Sequence, residues 1–173
     1  MSKYKTVIYN ANLITMDDEN KVIDNGYLVF VDGLIQSLGT GIPEMDEYTD
    51  SIDANGGLVT PGLINCHTHA PMSLFRGLGD DEPDRLKRFI FPLEAKYVSP
   101  EFVRTGTALS CVEMLLGGTT CFADMYFFEE EVAATASELG IRVLAGQTLM
   151  NRATPDAATI EDAFTRAVNF CED

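Results

Sequence analysis

Residues 57–69 read Gly57-Leu58-Val59-Thr60-Pro61-Gly62-Leu63-Ile64-Asn65-Cys66-His67-Thr68-His69. Residues 58–66 are apolar and β-compatible, with Pro61-Gly62 as an interruption. The run ends in the only two histidines of the chain, His67 and His69, spaced i and i+2. Alternate residues of a strand share a face. If the strand continues through the motif, Asn65, His67 and His69 face one way, and Cys66 and Thr68 the other. Strand rise then sets the two histidine backbones about 7 Å apart. Two imidazoles on one face can converge on one ion, and neutral imidazole nitrogen suits zinc, iron, nickel or manganese. The plainer alternative is a pair of hydrogen-bonded polar residues at a strand end. Position favours the metal: the pair closes the first strand of a βα series, where α/β barrels keep their active sites.

Downstream of the pair the pattern is strand, helix, strand, helix. Ser99-Pro100-Glu101 starts a helix, with Ser as N-cap, Pro at the first helical position and an acid in the first turn. Phe102, Leu109, Val112 and Leu116 follow at helical spacing, and Gly117-Gly118 ends the element. Residues 119–124 read as the next strand, 129–139 as a helix closed by Gly140, and 141–148 as a third strand. Thr159 caps a last helix that carries Ile160, Ala163, Phe164, Ala167, Val168 and Cys171 on one face. Residues 84–91 are expected to form a short helix that stops before Pro92. Strands alternating with helices imply parallel βα units.

Upstream the pattern is different. Short β-type runs occupy residues 6–9, 13–16, 27–31, 34–38 and 51–53, and Asp32-Gly33 between two of them signals a hairpin. This segment is expected to form part of a small antiparallel sheet or sandwich that takes further strands from elsewhere. The predicted organisation is residues 1–57 as the N-terminal part of a small β-sandwich domain and 58–173 as the first part of a barrel. The fold class is α/β: about three βα units, preceded by strands of a small sheet or sandwich.

The 173 residues suffice for one domain and bury roughly 70% of the unfolded surface. With 12 Lys+Arg against 27 Asp+Glu the net charge is −15, which repels phosphate backbones and anionic lipid. Nucleic-acid and membrane partners are therefore not expected. The four cysteines, Cys66, Cys111, Cys121 and Cys171, form no CxxC pair and are read as buried, reduced and structural. Met1-Ser2-Lys3-Tyr4-Lys5 leads only to Val7-Ile8-Tyr9 before Asn10, too short for a signal-peptide core. No apolar stretch approaches the ~18 residues of a membrane span. A cytoplasmic location is the resulting expectation. The last helix runs into Cys171-Glu172-Asp173 without a Gly or Asn cap, with acids at its negative end, so the chain is read as an N-terminal piece of a longer protein.

Taken together, residues 57–69 resemble the opening of the amidohydrolase superfamily, in its branch of cytosine-deaminase-like, chlorohydrolase and S-adenosylhomocysteine/methylthioadenosine deaminase proteins. The resemblance continues through Met72-Ser73-Leu74-Phe75-Arg76-Gly77, Phe91-Pro92-Leu93-Glu94, Glu113-Met114-Leu115 and Gly118-Thr119-Thr120-Cys121-Phe122-Ala123-Asp124-Met125. Asn12-Leu13-Ile14-Thr15-Met16-Asp17 and Val31-Asp32-Gly33 also look like the start of such proteins. The resemblance implies a distorted (β/α)8 barrel with a small β-sandwich built from both chain ends, so the α/β chain is expected to form a partial (β/α)8 TIM-like barrel of about three βα units preceded by N-terminal β-sandwich strands. It implies a metal site made from the HxH of strand one, a His after strand five, a His after strand six and an Asp after strand eight. His67 and His69 match the first pair. The implied cofactor is a divalent metal, zinc first, with iron, manganese or nickel as alternatives; it lowers the pKa of a water toward neutrality for attack on a C–N centre. The implied partners are a small, heterocyclic substrate for the full-length enzyme and a second copy in a homo-oligomer.

Departures from the family are equally legible. The chain has no third histidine and ends after about three βα units, so no catalytic residue is assigned, and the 173 residues alone are expected to be inactive. The alternative is a non-catalytic truncated relative that acts by association with another chain. Nucleoside-type deaminases of this branch carry an acidic residue followed by Trp-Leu before the Pro-Leu-Glu match. Here Asp80-Asp81-Glu82-Pro83-Asp84-Arg85-Leu86-Lys87-Arg88-Phe89 has no Trp, which weighs against an adenosine-like substrate.

Other side chains receive structural readings. Asp124 is expected to cap the next helix, with a pocket role as the alternative. Gln147, at the end of the third strand, is a candidate for substrate contact. Arg76 is read as a salt-bridge partner, Glu113 as a structural contact, Met114 and Met125 as core fillers, and Glu129-Glu130-Glu131 as a solvated helix face.

Overall fold

Ten residues, Lys5–Ile14, form the strand β1 on which the N-terminal sheet is assembled. The two runs at 6–9 and 13–16 thus belong to one strand. It is interrupted by irregular register between Ile8 and Leu13, where Asn10 takes φ +53° and donates through Nδ2 to Asp53 Oδ1 at 2.8 Å. β2 (Val22–Val31) pairs antiparallel with β1, and β3 (Leu34–Thr40) antiparallel with β2. Asp32 and Gly33 join them at φ +53° and +78°, the doubly left-handed turn that the twist of a hairpin favours. β4 (Thr49–Asp53) and β5 (Leu58–Val59) both run parallel to β1. The sheet is therefore mixed, not purely antiparallel. Local turn chemistry announces hairpins, whereas parallel strands return through loops that carry no such signal. Ala11, Leu13 and Leu28 form its buried centre, with Ile8, Ile23, Phe30 and Val59 packed against them.

The computed structural model describes residues 5–46 and 49–172. Met1–Tyr4, on which part of the leader reading rests, and Asp173, on which part of the chain-end reading rests, lie outside the described residues. The chain divides into two units, Met1–Pro61 and Gly62–Asp173. The divide falls beyond residue 57 because Leu58–Val59 pairs with β1.

In the second unit β6 (Leu63–Thr68), β7 (Thr119–Tyr126) and β8 (Arg142–Gln147) form a parallel sheet in the order β6-β7-β8. After β6 come a 3₁₀ turn (Ala70–Phe75), a π turn (Leu86–Ile90) and α1 (Phe91–Tyr97). α2 (Pro100–Leu116) crosses from β6 toward β7, and α3 (Glu129–Leu139) crosses from β7 to β8. α4 (Ile160–Glu172) follows β8. Ser99 caps α2 by accepting from Phe102 N at 3.2 Å. Thr159 and Asp162 cap α4 reciprocally, each accepting the other's backbone N–H at 3.1 Å. Phe122 and Tyr126 of β7 pack with Val103, Cys111, Val132 and Ala136 of α2 and α3 in one buried core.

The helix expected at 84–91 does not stop before Pro92. The π turn leads directly into α1, whose first turn contains Pro92. That wider turn spares the proline ring the clash with the carbonyl four residues back that a regular helix imposes. Gly106 of α2 has a different reason: a Cβ there would lie 2.4 Å from Pro71 O, so only glycine admits the turn that follows His69. Ser110 Oγ donates to Ala70 O at 2.7 Å, and Ser73 Oγ to Gly106 O at 3.0 Å, fastening the same turn to α2.

Candidate metal centre

β6 ends at Thr68, and His69 occupies the single residue between strand and 3₁₀ turn, at φ −128° and ψ 72°. Pairing of β6 with β7 slips between Asn65 and Thr68, so the strict alternation expected from 65 to 69 does not hold. Asn65 Oδ1 accepts from His67 N at 3.3 Å inside this irregularity. The two imidazoles nevertheless come together: their centroids are 5.1 Å apart with the rings at 75°. His67 is exposed and His69 half-buried.

His69 is oriented from β7. Its Nδ1 lies 2.6 Å from the carbonyl oxygen of Met125. A carbonyl only accepts, so Nδ1 carries the proton and Nε2 presents its lone pair. That is the arrangement by which metal-ligating imidazoles are held. Two imidazoles with one fixed tautomer are a donor set that fits zinc. Among the described residues no group of three or more His, Cys, Asp or Glu is arranged to hold a metal ion.

Beneath the pair sits Asp124, 4% exposed. Its Oδ1 accepts from the Thr68 hydroxyl and, at 2.7 Å, from Ala70 N. It does not cap α3 and does not line an open pocket; β7 alternation turns it inward beside Phe122 and Tyr126. Glu129, the first residue of α3, is fully buried. Its neighbour is the Asp124 carboxyl. Burial first, and then the negative charge of Asp124, push Glu129 up to about 9, so it is a neutral acid at pH 7 that donates to Asp124. Burial also raises Asp124, opposed by its bonds to Thr68, Ala70 and Glu129. The solvated-face reading of 129–131 therefore fails at Glu129. Glu130 pairs with Arg166 at 2.6 Å, and Glu131 with Arg104 at 3.1 Å. Spacing held the signal: Glu129, Val132 and Ala136 stand at i, i+3 and i+7, one helix face.

Glu94, 5% exposed, is a third buried carboxyl, one to which the sequence assigns no role. Burial raises it, while the Tyr126 hydroxyl and the Arg152 charge pull the other way. Burial, followed by the Glu94 charge, raises the Tyr126 phenol in turn. A cavity of about 230 Å³ opens beside Glu94, between Phe91, Phe127, Arg152 and Pro155. The Arg152 guanidinium covers the Phe91 ring at 4.2 Å.

Gln147 donates to Asp156 Oδ2 at 2.7 Å, and that carboxylate also accepts from Phe128 N at 3.0 Å, so Gln147 is engaged in holding the loop after β8. Arg76 and Glu113 form the expected salt bridge through two bonds of 2.9 and 2.6 Å. Met114 packs against the core, but Met125 is 45% exposed and no core filler. Its sulfur accepts from Thr148 Oγ1 at 2.7 Å. All four cysteines are free thiols; Cys111 is buried, whereas Cys66 and Cys171 are exposed, contrary to the buried reading. In the irregular end of β6 an apolar run does not guarantee a covered side chain.

The fold is a series of parallel βα units whose first strand is closed by paired histidines. Residues 58–172 match the Amidohydrolase family, and the chain belongs to that family. The 5-methylthioadenosine/S-adenosylhomocysteine deaminase of Thermodesulfovibrio yellowstonii is 45% identical over 97% of this chain and 40% of its own length. The protein of the same name from Aquifex aeolicus is 39% identical over 100% of this chain and 39% of its own. The chain thus spans about two fifths of the relatives it matches. Among solved structures, an adenosine deaminase from Xanthomonas campestris with bound zinc superposes with a TM-score of 0.80 at 33% identity, covering 96% of this chain and 39% of that one. A triazine hydrolase from an Arthrobacter aurescens source gives 0.85 at 20% identity, covering 98% and 43%, and shows a shared fold. Among the described residues no helix is long and apolar enough to cross a membrane.

Proposed function

We propose that this chain supplies the first part of a (β/α)8 barrel, together with strands of its accompanying β-sandwich, in a metal-dependent hydrolase that deaminates an amino-substituted heterocycle. The single observation that carries this reading is the convergence of His67 and His69 with Nε2 of His69 left free by the Met125 bond. A zinc ion held there, with ligands from outside this chain completing its shell, would supply Lewis acidity and an activated water. Two protein ligands are one short of the usual catalytic set, so the 173 residues alone are expected to show no turnover. Glu94, buried at the edge of the Arg152 cavity, is placed to accept hydrogen bonds from a substrate entering there. The names borne by the relatives favour 6-aminopurine thio-nucleosides, while the Trp-free segment 80–89 weighs the other way.

The test uses the natural protein that carries this chain. Ammonia release is measured from methylthioadenosine, S-adenosylhomocysteine, adenosine, cytosine and guanine, before and after chelation and zinc return. Loss on chelation, recovery with zinc and loss in His67→Ala are expected. Turnover indifferent to both treatments would overturn the reading. The second reading, a non-catalytic chain that pairs with another, draws on Leu63, Ile64 and Leu144, which stand 62%, 68% and 72% exposed on the three-stranded sheet. Self-association without zinc binding would favour it.

A further inference from the structure

We propose that Asp124 is a positioning residue for the His67–His69 pair, an assignment that rests on the metal reading above. Two consecutive residues of β7 hold three consecutive residues at the end of β6. Asp124 takes the Thr68 hydroxyl and the Ala70 N–H, and Met125 takes the ring N–H of the histidine between them. His69 has an irregular backbone and belongs to neither neighbouring element, so regular hydrogen bonding does not fix it. Its orientation comes from these bonds. Asp124 and Ala70 are each 4% exposed, so water does not replace a bond lost between them. Thr68 also donates to Ala123 O at 2.9 Å, leaving the Ala70 N–H most dependent on Asp124. A ring released from this frame would have to be ordered again whenever an ion binds, which weakens binding.

The experiment measures zinc affinity of the intact protein by competition with a chromophoric chelator, with the cobalt visible spectrum and the melting temperature recorded in parallel. The variants are Asp124→Ala, Asp124→Asn, Thr68→Val and His67→Ala. Asn keeps an oxygen at the Oδ1 position but not the charge. Asp124→Ala is expected to weaken zinc binding by about 10- to 100-fold and to alter the cobalt bands, with Asp124→Asn staying within about threefold of the parent. An Asp124→Ala protein that binds zinc like the parent would overturn the assignment. So would an Asn variant as weak as Ala, because charge and not placement would then be the cause. If Asp124→Ala fails to fold, Thr68→Val decides: weaker zinc binding at an unchanged melting temperature supports positioning, and parental affinity overturns it. A parent that binds no zinc, or a His67→Ala protein that binds as tightly as the parent, fails the metal reading itself and takes this proposal with it.

Discussion

His69 Nδ1 and the Met125 carbonyl oxygen stand 2.6 Å apart across 56 residues of sequence, and this contact chooses the tautomer of the imidazole. A zinc titration followed by long-range ¹H–¹⁵N NMR is expected to move the Nε2 resonance of His69. The Nδ1 proton should stay visible and slow to exchange. Coordination through Nδ1 would contradict the assignment of the free nitrogen.

The shared proton of Glu129 and Asp124 makes stability depend on pH with a definite sign. Glu129 is held at about 9 in the folded chain, above its unfolded value of roughly 4.3. Between those values the native state binds the extra proton, so its contribution is complete at low pH and declines as pH rises toward 9. The limiting slope is about 1.4 kcal/mol per pH unit for one proton. Glu129→Gln, a neutral stand-in for the acid, should flatten the urea-measured stability between pH 6 and pH 8.5. A stability difference between parent and variant that does not change over that interval would refute the shared proton.

Gly106→Ala places a methyl group where Pro71 O already stands, 2.4 Å from the new carbon. Alanine raises helix propensity by up to about 1 kcal/mol. Forced overpacking against backbone costs about 1–3 kcal/mol and is expected to win. Urea midpoints check the sign, and a more stable variant would show that the turn after His69 shifts without penalty.

Thiol chemistry should separate the cysteines. Cys66 and Cys171 are exposed, whereas Cys111 is fully buried, and burial, with the Asp124 charge second, raises its thiol to about 11. Under native conditions at pH 8, a small disulfide reagent should titrate Cys66 and Cys171 quickly and leave Cys111 until the chain is unfolded. Early labelling of Cys111, located by peptide mapping, would count against the packing of α2 on β7.

Much of the architecture was legible from short-range signals. Asp32-Gly33, Ser99-Pro100 and Gly140 each act within a few residues, and the elements they bound are where the sequence puts them. The i, i+2 histidines needed only strand geometry to be noticed. What escaped depends on distant partners. β4 and β5 join β1 in parallel through contacts that no turn motif announces. The slip between Asn65 and Thr68 is set by β7, far along the chain, and it is what brings Thr68 beside Asp124. Glu129 was missed because a run of three acids at a helix start has an ordinary explanation in the dipole, and that explanation holds for its two neighbours. Glu94 lay in the segment where the proline reading misplaced the helix.

The bonds from β7 to residues 68–70 also impose a timetable. While the ribosome has delivered the histidines but not yet residues 124 and 125, nothing described here orients the His69 ring. A nascent chain at that stage carries only a loose pair of imidazoles, and their arrangement is fixed once the second strand of the series has docked.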